Sequence, residues 1–343
     1  VIDDGRIQQG VKAVVLQQQS LEKVGTLALF LAIVLFSTVE IASKAIAERA
    51  VIDPYAMVFI RFFTTGVVLL AISLPGYLRS GRRLGWHDLG IFTLTGVIGI
   101  TLSISLFHAA ILMFENASSS AVVFSGNALF TTMLARFINR ETWTWRKWVA
   151  VTLGLGGISM FIFESGTPTR SAVYAILTMC MSAFAFSLSI CITKRVVARY
   201  GAMLFMGCSS LIGSLLTLPM VIIRRPENAM AEILSVVPLL LYMALIVTAL
   251  AYFLYYYGLS HCTAFKASMV FFLKPVFACY LSWLILGEKL NAWTLTGTAL
   301  IIFSLSLTLP YGARKKQNQT ENPSAAQPGN TSPAVGAAVT SEP

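Results

Sequence analysis

Ten mostly apolar stretches, divided by short polar connectors, set the architecture of this chain. They are residues 24–46, 54–76, 88–113, 117–138, 145–163, 171–193, 202–223, 235–257, 264–286 and 292–310. A helix needs about 20 residues to cross the hydrocarbon core of a bilayer, and each stretch is close to that length or longer. Barrel strands would alternate apolar and polar residues over about ten positions, and these stretches do not. The composition agrees. Only 12% of the 343 residues are charged, where a soluble domain carries about 25%. Mean hydropathy is +0.75. The expectation is an all-α polytopic membrane protein of ten transmembrane helices.

The connectors fix an orientation. With the N-terminus in the cytoplasm, 17 Lys and Arg gather on that side and five on the other: Arg49, Arg170, Arg224, Arg225 and Lys289. Basic residues concentrate on the cytoplasmic side of membrane proteins, so both termini are expected there. The net charge of +10 then reflects orientation, with the lipid bilayer as partner and no nucleic acid required. Residues 1–20 are polar and lack the apolar centre and cleavage site of a signal peptide, so the first apolar stretch is expected to remain as a span. Residues 311–343, rich in Pro, Ala, Ser, Gly and Asn, read as a disordered tail. The five cysteines lie inside apolar stretches with no C-x-x-C spacing and suggest neither a disulfide framework nor a zinc site.

Shifting the sequence by 147 residues lays one half on the other. Ala121-Val122-Val123-Phe124 falls opposite Ser268-Met269-Val270-Phe271, Asn127 opposite Lys274, and Arg140-Glu141 opposite Gly287-Glu288. Five spans per half is an odd number, so the second half enters the membrane in the reverse sense, as inverted repeats of carriers do. The expected organisation is a polar segment 1–20, a five-helix repeat 21–163, a second repeat 171–310, and the tail 311–343. The run Lys274-Pro275, then Leu286-Gly287-Glu288-Lys289-Leu290 and Gly297, resembles the EamA-type repeat of the drug/metabolite transporter superfamily. Lys44 and Arg61 also sit where that family often carries basic residues. The resemblance implies a carrier, and with the short loops it makes the bacterial inner membrane the default location. Ala128 stands opposite Pro275, so the fourth span should lack a matching kink.

Charged side chains at the centre of a membrane helix cost about 2.5–3.5 kcal/mol and mark functional sites. Lys274, Asn127, Arg61 and Lys44 are therefore candidate solute-binding residues, joined by Tyr252 and Tyr256 from an aromatic stripe on the eighth span. Glu40 and His108 are candidates for proton coupling. Glu40 and Lys44, four residues apart, share a helix face and are expected to neutralise one another. Lys44, Arg61 and Lys274 outweigh Glu40, which favours a small organic solute with an anionic group, such as an amino acid or organic acid. A secondary transporter working by alternating access, in either direction and with export included, fits best. The alternative is a receptor or structural membrane protein. No phosphate-binding loop, H-E-x-x-H or G-x-S-x-G signature points to a pump or an enzyme, and no cofactor or metal is expected.

Overall fold

The computed structural model describes residues 21–81, 84–138, 140, 143–164, 166–224, 229–261 and 273–308. Among them no strand occurs. Eight helices are long and apolar enough to cross a membrane: α1 Leu21–Ala47, α2 Pro54–Arg79, α3 Trp86–Met113, α4 Ala117–Ile138, α5 Trp145–Phe163, α6 Arg170–Val197, α7 Ala202–Ile223 and α8 Val237–Tyr255. Two shorter apolar helices follow, α9 Leu273–Leu286 and α10 Ala292–Thr308. At 1.5 Å per residue, a 26-residue helix such as α2 is about 39 Å long, more than the roughly 30 Å of hydrocarbon.

Local chemistry sets the helix starts. Asp53 accepts the Tyr55 N–H at 2.8 Å and Pro54 opens α2, where a missing N–H costs nothing. Thr169 caps α6 through the Ala172 N–H, and Asn291 caps α10 through the Thr294 N–H. Three sequence readings need correction. The second stretch does not end at Gly76: α2 runs on to Arg79, with Pro75 inside the helix. Lys194, Arg195 and Arg199 lie on the helix Arg170–Tyr200 rather than in a connector, where positive charge suits the negative end of the helix dipole. The fourth span is interrupted despite having no proline. A turn at Gly126 separates Ala117–Ser125 from Asn127–Ile138, and the Gly126 N–H bonds back three residues to Val123. Glu141 and residues 262–272, including the matched segment 268–271, lie outside the described residues, as do 1–20 and 311–343.

Helix pairing is regular. α2 packs on α7, α4 on α9 and α5 on α10, while α3 lies along α6. Gly258, on the helix continuing α8, sits against Leu29 of α1. Small residues let these backbones approach, the main route to association where lipid offers no hydrophobic incentive. At the α5–α10 crossing, a Cβ on Gly297 would lie 2.9 Å from the Gly157 carbonyl oxygen, and one on Gly157 3.0 Å from that of Gly297. Serines and threonines fill the interior, while large apolar side chains such as Ile72, Ile223 and Leu284 point outward.

Two local features recur 147 residues apart. α3 and α8 each contain a π-helical segment, Val97–Leu102 and Tyr242–Leu250. Arg140 and Gly287 both adopt left-handed backbone, with φ of 54° and 68°.

Candidate functional site

The interior is built around a break in α1. Ser37 and Thr38 form a turn between two helical stretches. The Ser37 hydroxyl bonds its own helix at the Ile33 carbonyl (2.8 Å) and reaches the Lys274 carbonyl (3.3 Å), while Thr38 meets the Tyr242 hydroxyl at 2.9 Å. One turn on, Glu40 is fully buried, and Oε1 accepts the Lys274 ammonium at 3.1 Å. Oε2 has no hydrogen-bond partner among the described residues. Lys274, nearly buried, also stands 5.1 Å from the centroid of the Phe124 ring on α4, whose π face favours a cation. The pair thus joins α1 to α9 under a ring from α4.

A second polar chain runs beside it. Arg61 on α2 donates from Nε to the Thr248 hydroxyl (2.5 Å), and its Nη1 is 3.5 Å from His108 Nε2. His108 Nδ1 is 3.4 Å from the Ser43 hydroxyl, which itself donates to the Val39 carbonyl at 2.8 Å. Because guanidinium can only donate, Nε2 is the accepting nitrogen and Nδ1 carries the proton. His108 is thereby assigned as the neutral imidazole, and a second proton on it would face Arg61. The π-helical segment of α8 matters here. Wider turns shift its hydroxyls and carbonyls, so that Thr248 meets Arg61 and the Ala244 carbonyl accepts Thr65 at 3.0 Å.

Of the candidates from sequence, Glu40, Lys274, Arg61 and His108 come together. Tyr252 joins them at the edge: it is the aromatic charge neighbour of Arg61, and its ring lies 5.0 Å edge-on to Phe36, beside the α1 break. Tyr255 shares that contact at 6.4 Å, whereas Phe253 stacks with Tyr257 and is partly exposed. The side chain of Tyr256 lies outside the described residues. Asn127 is half-buried at the start of the second stretch of α4, where its carbonyl accepts the Ser187 hydroxyl at 2.7 Å.

Lys44 goes elsewhere, which corrects the expected Glu40–Lys44 pair. Glu40 faces α9, while the Lys44 ammonium bonds the carbonyl of Phe114, where α3 ends and its last carbonyls lack helical partners. The charges acting on Lys44 are Glu288, Glu48, Glu115 and Glu164. Sequence reasoning missed this second cluster. Glu288 accepts the backbone N–H groups of Ala117 and Ser118 and the Ser118 hydroxyl, at 2.5, 3.1 and 2.6 Å, and so caps α4. Glu164 accepts Asn116 at 2.6 Å and Ser119 at 2.5 Å, and its carbonyl accepts Asn291 at 2.5 Å. Burial raises the Glu164 pKa, against the lowering effect of the Ser119 and Asn116 bonds. The available signal was position: Glu164 directly follows the fifth apolar stretch, and Glu288 comes two residues after the end of the ninth.

Eight apolar spans, an outward apolar surface and charges gathered inside define an integral membrane protein. The sequence profile of the EamA-like transporter family matches twice, over residues 23–163 and 173–309. The chain belongs to that family, and it is a membrane transporter. An uncharacterized transporter of Clostridium kluyveri is 28% identical over 301 residues, 86% of this chain and 96% of that protein. The uncharacterized transporter YdfC of Bacillus subtilis is 24% identical, covering 76% of this chain and 84% of the relative. The S-adenosylmethionine uptake transporter of Rickettsia prowazekii is 23% identical, covering 55% of this chain and 61% of its own length. A solved crystal structure at 18% identity superposes with a TM-score of 0.57 over 82% of this chain and 95% of that one, a likeness of fold. These relatives point to a transporter rather than an enzyme.

Proposed function

We propose that this chain is a secondary transporter that moves a small organic solute carrying a negatively charged group by alternating access. Ten spans form two inverted five-helix repeats, both termini face the cytoplasm, and the bacterial inner membrane is the setting. Support for the inverted arrangement comes from features 147 residues apart: the paired π-helical segments, the two left-handed turns, and helices that pack on their own counterparts. The ends alternate as well. α1, α3, α5 and α9 finish at the level where α4 and α10 begin, whereas α3 begins where α6 ends, with Asp88 binding Tyr200 at 2.5 Å and Arg199 at 3.1 Å.

The observation that carries the solute class is the buried charge imbalance. Among the described residues Lys274 and Arg61 face one carboxylate, Glu40, and His108 is assigned as neutral. A solute anion would cancel the remaining positive charge in a medium where an unbalanced charge is expensive. Lys274, Arg61 and Tyr252 are the proposed contacts, with Asn127 opposite Lys274 in the repeat and Tyr256 beside Tyr252 in sequence. Glu40, with its unpartnered oxygen, is the group that would take up a proton. Lys44, first expected among the contacts, is assigned to the acidic cluster.

Flux of labelled monocarboxylates and amino acids in proteoliposomes tests the reading, with S-adenosylmethionine in the screen because a relative bears that name. Uptake of anionic solutes that disappears in Lys274→Ala is the expected result. A protein that moved only cationic amines would refute the charge argument.

A further inference from the structure

We infer that Glu288 is the latch of a gate at the end of the molecule where α4 begins, closed in this structure by its carboxylate on the α4 N-terminus. This rests on the alternating-access reading, because a gate has meaning only if the interior site opens alternately to the two sides. The Glu288 carboxylate accepts three donors from the first two residues of α4, Ala117 and Ser118. The first helical N–H groups have no partners within their own helix and carry the positive end of its dipole, so a carboxylate there is both hydrogen-bonded and charge-matched.

The turn is shaped for this task. Gly287 takes left-handed backbone at φ 68°, which ends α9 and turns the next residue back over the bundle. The Glu288 N–H bonds the Ser282 carbonyl at 3.4 Å. Around it, Glu164 binds Asn116 and Ser119 from the other side, and Asn291 ties the start of α10 to the Glu164 carbonyl. Lys44, at the end of α1, is a cation on which both carboxylates act. Six helix ends therefore meet here, and all but those of α3, α5 and α10 belong to the helices that carry or cover Glu40 and Lys274. Releasing Glu288 removes a direct tie between α9 and the tip of α4, the helix that carries the Phe124 ring over Lys274. The tie itself consists of hydrogen bonds at a helix end.

Cys279 reports on such opening. It is buried on α9, its sulfur 3.9 Å from Thr298, and both Glu288 and Glu164 act on it electrostatically. The experiment is alkylation of the full chain in membranes by a maleimide without added solute, with the Cys279 peptide followed by mass spectrometry. Replacing a charge-assisted acceptor by a neutral one should shift the closed–open balance by about tenfold. Glu288→Gln is expected to speed Cys279 labelling by about that factor, and Ser118→Ala, which removes one donor, by less. Because the Glu288 charge also acts on the Cys279 thiol, Ser118→Ala, which keeps that charge, decides: labelling no faster there than in wild type overturns the latch. Should Glu288→Gln fail to fold, Ser118→Ala decides alone. Labelling needs no transported solute, so loss of the anion reading in the flux screen leaves this result independent.

Discussion

Two carboxylate sites in this molecule solve the same problem by opposite means. Inside, Glu40 is balanced by a charge, the Lys274 ammonium, with one oxygen left unpartnered. At the end of α4, Glu288 is balanced mainly by oriented backbone N–H groups and a serine hydroxyl. The first arrangement is all-or-none, since removing either member leaves a full charge in a poorly solvated place. The second is graded, because its stabilisation is divided among several donors and water reaches the helix end once it opens. A carrier needs both properties: an interior that cannot stay half-charged, and a closure that loosens without unfolding the bundle.

The sharpest way to break the comparison is to cut the interior pair. Lys274→Ala should destabilise the protein by about 3–5 kcal/mol, read as a fall in thermal midpoint in detergent, because Glu40 is then buried without a counter-charge. Glu40→Gln combined with Lys274→Met should recover most of that loss while transport stays absent. A double variant no more stable than Lys274→Ala would show that the two charges do not depend on one another.

A smaller effect tests the framework that holds the two sites at their separation. Gly297→Ala would put a Cβ 2.9 Å from the Gly157 carbonyl oxygen and 2.7 Å from the Phe161 ring, forcing α5 and α10 apart. Such overpacking typically costs about 1–3 kcal/mol. Gly156→Ala, one residue from the crossing and with no atom within 4 Å of its new Cβ, should be close to neutral by the same thermal measurement.

How much of this was legible in sequence follows from the range of each interaction. The helices were readable because apolar length is a local property, and α4 and α7 match their apolar stretches end for end. Membership of the EamA family was readable because Gly287-Glu288 and Lys274-Pro275 lie close together in the chain. Partner choice was not. Glu40 and Lys44 share a face, but the ammonium that Glu40 meets lies 234 residues away, and spacing within a helix says nothing of that. Lys44 has a long side chain near a helix end, so its target depended on where the α3–α4 connection would fall. The break at Gly126 escaped notice because proline was the signal sought, and glycine within an apolar helix is common in membranes.

The graded site can be sharpened by pH. Burial raises the Glu164 pKa from its ordinary value of 4.5, with Glu115 and Glu288 adding to the rise, Ser119 and Asn116 opposing it, and Lys44 the facing cation. The closed clasp therefore holds this proton more tightly than an opened, hydrated one. Closure is favoured at low pH, and that advantage fades as pH climbs from about 4.5 through the raised value. Cys279 labelling, taken relative to that of the denatured chain at each pH to remove the thiol's own ionisation, should increase a few-fold across that window and flatten in Glu164→Gln. A wild-type profile that falls with rising pH would reverse the assignment.

The smallest effect compares the two turns. Gly287 adopts its left-handed backbone without penalty, whereas Arg140, at the equivalent place in the first half, holds φ 54° with a Cβ attached. A non-glycine residue there costs about 1–2 kcal/mol, partly offset in Arg140→Gly by the greater freedom of glycine in the unfolded chain. Arg140→Gly should therefore raise the thermal midpoint slightly, and Gly287→Arg should lower it by more, because the Glu288 cap of α4 is disturbed along with the turn. Equal and opposite shifts would mean that Gly287 serves backbone geometry alone and that Glu288 gains nothing from being delivered by it.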